Sequence, residues 1–242
     1  MKYNSAPIKE AIFDLRVDQL EQSSIDRLEK VYDELSDTYP NKKKQINFVG
    51  KFDLRNDTEV KNESHSEVRG FLFSTNDNTR QVQIRLDGFT FNMLNPYSEW
   101  KDFSAEALRL WEVYSGILKP KKVERIALRY INKIDIPLPL NSFQEYILNM
   151  PPIPDSLPQT FKNFFMQIDV PCNNDGTHVT LTETIGKPTP SIIPFILDID
   201  AYKVGVINKD YSNLKIEFEK LRGLKNNTFE SCISEKTRNL FR

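Results

Sequence analysis

The sequence is poor in the residues that most catalytic and redox sites require. Among 242 residues there are two histidines, two cysteines and eight glycines. Neither His65 nor His178 stands in a pattern that supplies a base to a Ser or Cys nucleophile, and no zinc-ligand spacing occurs. The glycines are scattered singly, so the chain has no phosphate-binding or dinucleotide-binding loop. We therefore expect no resident cofactor, no disulfide framework and no structural zinc.

The sequence also lacks an excess of one charge sign and any long hydrophobic run. Thirty-three Lys and Arg face 34 Asp and Glu, so no overall field draws the chain to nucleic acid or to an anionic membrane. No stretch approaches the about 20 apolar residues that a transmembrane helix needs. The first residues contain no apolar segment typical of a signal peptide. These features predict a cytoplasmic protein, with no membrane association and no indication of nucleic-acid binding.

Strand and helix patterns alternate along the first half of the chain. Apolar residues at every second position from Ala11 to Val17 predict a half-buried strand. Apolar residues spaced three and four apart from Ile25 to Leu35 predict an amphipathic helix that ends near Pro40. Further strand patterns span 44–54, 68–74 and 80–94, and a second helix pattern spans 98–118.

The second half shows the same order. Its first strand pattern spans 123–136, and a short helix is predicted at 142–148. Strand patterns follow at 164–170, 178–185 and 194–202. The chain ends in helical patterning, which Asn226 and Asn227 are expected to kink or to break into two helices.

The order of these patterns predicts the fold. Both halves have the order strand, helix, three strands, helix. We predict an α+β protein built from a duplicated β-α-β-β-β-α unit, with mainly antiparallel sheets and long helices packed on one face. The predicted N-terminal repeat spans 1–120 and the C-terminal repeat 121–242, packed as one globular unit. Open sheet edges need cover, and a homodimer is one way to supply it.

The strand pattern over 80–94 changes phase at Asp87-Gly88. Either a bulge re-aims one long strand there, or Asp-Gly closes a hairpin between two strands. We favour the bulge because both phases continue into strand-like residues.

Several arginines fall where burial would demand a partner. Arg125 and Arg129 share one face of the 123–136 pattern, and Asn132 falls on the opposite side. Arg85 lies on another strand pattern, and Glu10 lies near the start of the first. An interior guanidinium needs a carboxylate or an anionic ligand. The candidate site is therefore either an intramolecular ion-pair network or an arginine-lined anion pocket formed by these five residues.

Asp198 and Asp200 place two carboxylates on one face of a strand pattern. Together with a carboxylate from elsewhere, they would hold Mg²⁺ as metal nucleases do. The other interpretation is that they pair with arginines of neighbouring strands. We favour the pairing, and the two aspartates remain weak metal candidates.

Five segments form a recognisable series along the chain. The most specific is Arg125 to Asn132, which reads Arg-x-x-Leu-Arg-Tyr-x-Asn, and the other four lie at 7–16, 81–92, 96–100 and 229–236. In order and spacing they resemble a sporadically distributed family of uncharacterised prokaryotic proteins of about this length, and the resemblance covers nearly the whole chain. The family has no established activity. Its patchy occurrence implies accessory cargo, such as a mobile-element, defence or toxin-antitoxin component.

The sequence supports three hypotheses about function. The first is a cytoplasmic, non-enzymatic binding protein that engages a protein partner, as an accessory of a prokaryotic defence or toxin-antitoxin system. The second is a small-ligand or nucleotide-binding module with an arginine-lined anion pocket. The third is a metal-dependent nuclease that uses Asp198 and Asp200.

Overall fold

The computed structural model describes residues 3–51, 63–94, 96, 97, 99–154, 156, 157 and 163–242. Within these residues nine strands form one sheet, in the order β2-β3-β4-β5-β1-β6-β9-β8-β7, and neighbouring strands pair antiparallel. The strands are β1 Ile8–Val17, β2 Asn41–Lys51, β3 Glu63–Ser74, β4 Arg80–Arg85, β5 Gly88–Leu94, β6 Val123–Pro137, β7 Phe165–Pro171, β8 Thr177–Ile185 and β9 Ile192–Ile207. The end of the predicted 44–54 strand, residues 52–54, lies outside the described residues.

Four α-helices accompany the sheet in the described part of the chain. They are α1 Ile25–Leu35, α2 Trp100–Leu118, α3 Tyr211–Cys232 and α4 Glu235–Asn239. Two single 3₁₀ turns, Gln22–Ser24 and Phe143–Glu145, precede α1 and follow β6. None of these helices is long and apolar enough to span a membrane.

An apolar row crosses the middle of the sheet and begins the core. Phe13 of β1 lies opposite Phe91 of β5 and Leu128 of β6, and the same row continues through Val82 to Phe73. All five side chains are fully buried. Side chains of a strand alternate between its two faces, so the register that aligns these residues assembles one apolar face.

Helices cover parts of this apolar face with aromatic side chains. Phe218 of α3 stacks on Phe13 with ring centroids 3.5 Å apart. Phe103 of α2 meets Phe13 and Phe91, with centroids at 6.3 and 5.4 Å. Tyr32 of α1 lies against Phe73 at 5.2 Å. The central and β3 regions of the sheet are therefore closed by helices on the apolar face.

The predicted fold class is wrong. Strands outweigh helices, at 41% against 30% of the structure, and α1 and α4 have only 11 and 5 residues. The strands of both halves share one sheet, because β1 pairs with β6. Four strands rather than three follow α1, and a 3₁₀ turn replaces the helix expected between β6 and β7.

The phase change at Asp87-Gly88 marks a hairpin, so the favoured bulge is also wrong. Arg85 pairs directly with Gly88, and Leu86 and Asp87 form the two-residue loop between β4 and β5. A Cβ on Gly88 would lie 2.4 Å from the carbonyl oxygen of Leu15. The close approach of β5 to β1 at this position therefore requires glycine. This hairpin supplies the additional strand of the first half.

The helical ends of the second half also differ from prediction. α3 runs unbroken through Asn226 and Asn227 because both are exposed, while its buried stripe continues from Leu221 to Phe229. The helix expected at 142–148 is reduced to the turn Phe143–Glu145, since Ile147 turns away to form a β-bridge with Ile233.

Candidate functional site

The face of the sheet opposite Phe13 is charged. Side chains on this face alternate with the apolar ones along β1 and β6, and Ala127 lies between Arg125 and Arg129 on the same face of β6. Because Ala127 is small, the two arginine side chains can extend over it towards neighbouring strands. We use the name polar network for the ion pairs that join Arg85, Arg125 and Arg129 to Asp14, Asp198 and Asp200.

Asp14 of β1 is the centre of the polar network. Its carboxylate is 3.3 Å from Nη2 of Arg85 on one side and 3.3 Å from Nη1 of Arg125 on the other. Thr90, which lies opposite Asp14 in the register of β1 and β5, donates a hydrogen bond from Oγ1 at 2.6 Å. Arg16 adds a contact at 3.3 Å. The Asp14 side chain is 10% exposed, so a carboxylate without these partners would be costly at this position.

Arg85 is held from three directions. Its Nε lies 3.1 Å from Asp87 in the hairpin loop, and its Nη1 donates to Thr90 at 2.9 Å and to Gln83 at 3.3 Å. Its Nη2 contacts Asp14. All three guanidinium nitrogens of Arg85 therefore have partners within the chain, and these contacts use four of its five N–H donors.

Arg129 and Asp198 form the strongest pair by geometry. Nε of Arg129 donates to Oδ1 of Asp198 at 2.8 Å, and Nη2 donates to Oδ2 at 2.5 Å, which is a two-point contact. The hydrogen bond to Asp198 raises the pKa of Arg129 above its already high value. The Arg129 side chain remains 44% exposed, so one side of this pair faces solvent.

Arg125 links Asp14 to Asp200 and rests on an aromatic stack. Its Nη2 lies 2.7 Å from Oδ2 of Asp200, and its guanidinium lies 4.5 Å from the centroid of the Tyr202 ring. His178 stacks on Tyr202 with centroids 5.1 Å apart. Burial raises the pKa of Asp200, and Arg125 opposes this rise. Oδ1 of Asp200 is buried with no hydrogen-bond partner.

The two remaining candidates lie in different places. Glu10 borders the polar network and accepts a hydrogen bond from Nδ2 of Asn92, whose buried Oδ1 has no partner. Asn132 lies on the apolar face, where it is buried and donates to the backbone oxygens of Tyr130 and Leu197. The structure therefore brings Arg85, Arg125 and Arg129 into one network, places Glu10 at its border and separates Asn132 from it.

Asp198 and Asp200 are each engaged by an arginine. Within the described ranges, no group of three or more His, Cys, Asp or Glu residues is arranged to hold a metal ion. Their carboxylates lie beside Arg129 and Arg125, whose positive charges compete with a cation for the same oxygens. This arrangement favours the interpretation in which the two aspartates pair with arginines of the neighbouring strand.

Sequence reasoning missed Asp14, although this carboxylate contacts Arg85 and Arg125 and so joins them in the polar network. Asp14 is a single acidic residue in an alternating strand pattern, which is typical of a solvated strand face. Thr90 and Asp87 were missed as well, because a threonine in a strand and an aspartate in an Asp-Gly turn give no local sign of an arginine partner. The signal that identifies them is the sheet order, which places β1 between the arginines of β4 and β6.

Two comparisons with known proteins were made. No protein-family model matches the chain, and no curated protein is similar to it. The resemblance of five segments to a sporadically distributed prokaryotic family therefore stays a prediction.

Proposed function

We propose that this chain is a non-enzymatic binding protein that docks a partner protein on the polar network. The observation that carries the proposal is the excess of acceptors on this charged face. With Arg16, Asp87 and Glu10, the network contains four guanidinium groups and five carboxylates, and the guanidinium groups already contact carboxylates of the chain.

The chemistry of this face favours a partner that donates hydrogen bonds. The carboxylates outnumber the cations, and Asp87 among them is 38% exposed and can accept from a docked surface. The two acceptors without a partner, Oδ1 of Asp200 and Oδ1 of Asn92, are buried and take no donor from outside. An anionic ligand would meet these carboxylates and would have to displace them from the arginines. A protein surface that presents Lys or Arg would instead add donors to a preformed array, and such complementarity increases association rate and specificity.

The proposed cellular role follows from the sequence resemblance. It makes the chain an accessory or inhibitory component of a prokaryotic defence or toxin-antitoxin system, located in the cytoplasm. The partner is then a protein encoded with it, and its docking surface is basic.

The test is site-specific photocrosslinking followed by measured affinity. A photoreactive amino acid replaces Arg16, whose side chain is 44% exposed beside the network, and a control replaces Asp33 on α1. The crosslinked protein is identified, purified and titrated by calorimetry against the unmodified chain. We expect Asp87→Lys to weaken this complex at least about tenfold, and added salt to weaken the wild-type complex.

The matched control is Asp33→Lys, which makes the same charge change on an exposed residue of α1. Equal affinity of the Asp87→Lys and Asp33→Lys variants would contradict docking on the polar network. The ligand-binding alternative predicts a saturable thermal shift with nucleotides that Arg129→Ala abolishes. The nuclease alternative predicts Mg²⁺-dependent cleavage that Asp198→Ala abolishes, and either result would replace the present proposal.

A further inference from the structure

Six of the seven residues of the edge strand β7 are exposed. In the described part of the chain it pairs with β8 alone. Phe165, Ile168 and Val170 are 71%, 43% and 44% exposed, although all three are strand-forming apolar residues. Asp169 is the one charged residue in its sequence, Phe-Met-Gln-Ile-Asp-Val-Pro. A flat apolar edge of this kind is a template for pairing with another strand.

The register of β7 identifies which backbone groups face outwards. The N–H of Cys172 donates to the carbonyl oxygen of Thr177 at 2.8 Å, so this pair is a hydrogen-bonded pair of the ladder. Such pairs alternate along antiparallel strands, and no register shift interrupts β7 and β8. The backbone groups of Ile168 and Val170 therefore face β8, and those of Gln167 and Asp169 face away from the sheet.

The position of Pro171 supports this assignment of inward-facing and outward-facing backbone groups. It belongs to the outward-facing set, and proline has no N–H to lose there, as expected for an edge strand. The outer side of β7 thus offers N–H and C=O groups at Gln167 and Asp169, with a proline at one end.

We infer that β7 pairs antiparallel with β7 of a second copy of this chain, about a two-fold axis at Ile168. In this register Gln167 forms a hydrogen-bonded pair with Asp169 of the other copy, and each outward N–H finds a carbonyl oxygen. On the apolar face Ile168 meets its own symmetry mate and Met166 meets Val170. On the other face Phe165 meets Pro171.

Charge and register favour this centre over its neighbours. A two-fold axis at Asp169 would place two carboxylates opposite each other and would oppose Gln167 to Pro171, which has no N–H. An axis at Gln167 would place Phe165 opposite Asp169. Of these three axes, the one at Ile168 alone matches apolar residues with apolar residues and keeps the aspartates apart, so the strand is self-complementary about it.

The opposite edge of the sheet explains why β7 rather than β2 forms this contact. β2 carries three consecutive lysines, Lys42, Lys43 and Lys44, and lysines on an edge strand oppose pairing with another copy. Antiparallel pairing about an axis normal to the sheet also keeps both polar networks on the same side. The dimer is therefore bivalent for any partner of that face.

Sedimentation velocity over a concentration series, in reducing buffer, tests the inference. We expect the wild-type chain to sediment as a species of twice its 28.2 kDa mass. Ile168→Lys places two like charges across the axis and is expected to raise the dissociation constant at least about tenfold. Gln167→Pro removes an outward N–H without removing a bond to β8, and we expect the same direction of change.

Two controls separate dimer loss from misfolding and from loss of partner binding. Ile216→Lys alters a 56% exposed residue of α3 and is expected to leave the dimer unchanged. Asp87→Lys, which is expected to weaken partner docking, should also leave it unchanged. A wild-type chain that stays monomeric at about 100 μM, or a dimer that survives both Ile168→Lys and Gln167→Pro, would overturn the inference. Neither result would affect docking on the polar network.

Discussion

The two faces of the sheet are stabilised by different means. On the apolar face, Phe13 is buried because helices α2 and α3 cover it, and its contacts come from residues far away in sequence. On the charged face, Asp14 is nearly as buried, yet its contacts are side chains of the sheet itself, from its own strand, from adjacent β6 and from β4 two strands away. A sheet face therefore becomes buried either through a covering layer or through long side chains that lie along it.

The two faces also differ in how strictly they constrain the amino-acid sequence. Apolar packing tolerates many sequences of similar volume, whereas each guanidinium of the polar network needs a carboxylate at one position. Mutations on the two faces should therefore change the free energy of unfolding by different amounts, and these changes should depend differently on pH.

The largest expected effect is on the apolar face, from Phe13→Ala. The substitution removes a fully buried ring that stacks on Phe218 at 3.5 Å, and we expect a loss of about 3–5 kcal/mol in the free energy of unfolding. Urea denaturation followed by circular dichroism measures it. Phe13→Leu also removes the ring but keeps most of the apolar volume, so it should lose less, and equal losses would show that apolar volume at this position does not stabilise the region.

The next effect tests the charged face, through Asp14→Ala. Arg85, Arg125 and Arg16 would lose a shared carboxylate, and since their side chains are 14%, 26% and 44% exposed, water compensates in part. We expect a loss of about 2 kcal/mol in the same denaturation experiment. The matched control is Asp87→Ala, which removes a 38% exposed carboxylate from Arg16 and Arg85 and should cost under about 1 kcal/mol. Equal destabilisation of the two variants would contradict burial as the source of the difference between these two carboxylates.

Lys225 sharpens the comparison because it is a cation on the helix-covered side. Its ammonium lies 3.7 Å from the centroid of the Tyr130 ring, and burial, with a smaller contribution from Arg222, lowers its pKa from 10.5 to about 7. Burial raises the pKa of Tyr130 itself well above 10, and its hydroxyl is hydrogen-bonded to that of Tyr97. The unfolded chain therefore binds more protons than the folded chain between these two values of the Lys225 pKa, and wild-type stability rises with pH across that range.

We accordingly expect Lys225→Met to stabilise the protein by more than about 1 kcal/mol near pH 7. The gain should shrink as the pH approaches 10.5, the value at which the unfolded lysine also loses its proton. Denaturation at several pH values measures this, with Lys220→Met, an exposed lysine of the same helix, as control. A gain that does not change with pH would contradict the assignment.

The smallest effect concerns Glu183, a fully buried carboxyl on β8. Burial raises its pKa above 4.5, Nδ2 of Asn149 donates to Oε1 at 2.6 Å, and Cys232 is the other titratable group nearby. Oε2 of Glu183 and Oδ1 of Asn149 both lack a partner, and a proton on Oε2 would satisfy both acceptors at once.

The folded chain holds the Glu183 proton more tightly than the unfolded chain does. The contribution of this proton to the free energy of unfolding is therefore complete below pH 4.5, and it is lost as the pH rises through the higher pKa of the folded chain. Glu183→Gln keeps the amide contact without a titration. We expect the wild-type chain to lose up to about 1 kcal/mol relative to this variant as the pH rises. Glu112→Gln, an exposed control on α2, should show no such trend.

Local patterns predicted most strands but not their arrangement. The alternation after Ala11 identified the strand that became β1, and the 123–136 pattern matches β6, Val123–Pro137, to within one residue. The turn at Asp87-Gly88 was misread because a bulge and a hairpin produce the same phase change. The helix at 142–148 was misread because the bridge between Ile147 and Ile233 is a contact at long range in sequence.

The candidate site was also predicted only in part, because the face of a strand can be read from local spacing and the pairing between strands cannot. Arg125 and Arg129 were identified because a strand places residues four apart on one face, and Asp198 and Asp200 because they are two apart. That each arginine meets one of these aspartates requires the register of β6 with β9, in which Arg129 lies opposite Asp200 and Ile131 opposite Asp198. Asp14 had no local signal at all.

The amino-acid sequence by itself determined the charge balance, the alternation of apolar and polar residues, and therefore which side chains each strand turns to the same face. These properties depend on neighbours a few residues away, so they can be derived without the fold. Only the tertiary structure decided that β1 lies between β5 and β6, that Asp14 joins Arg85 to Arg125, and that β7 ends the sheet. Strand order is set by contacts between distant segments, and their energies depend on register and packing that no local pattern contains.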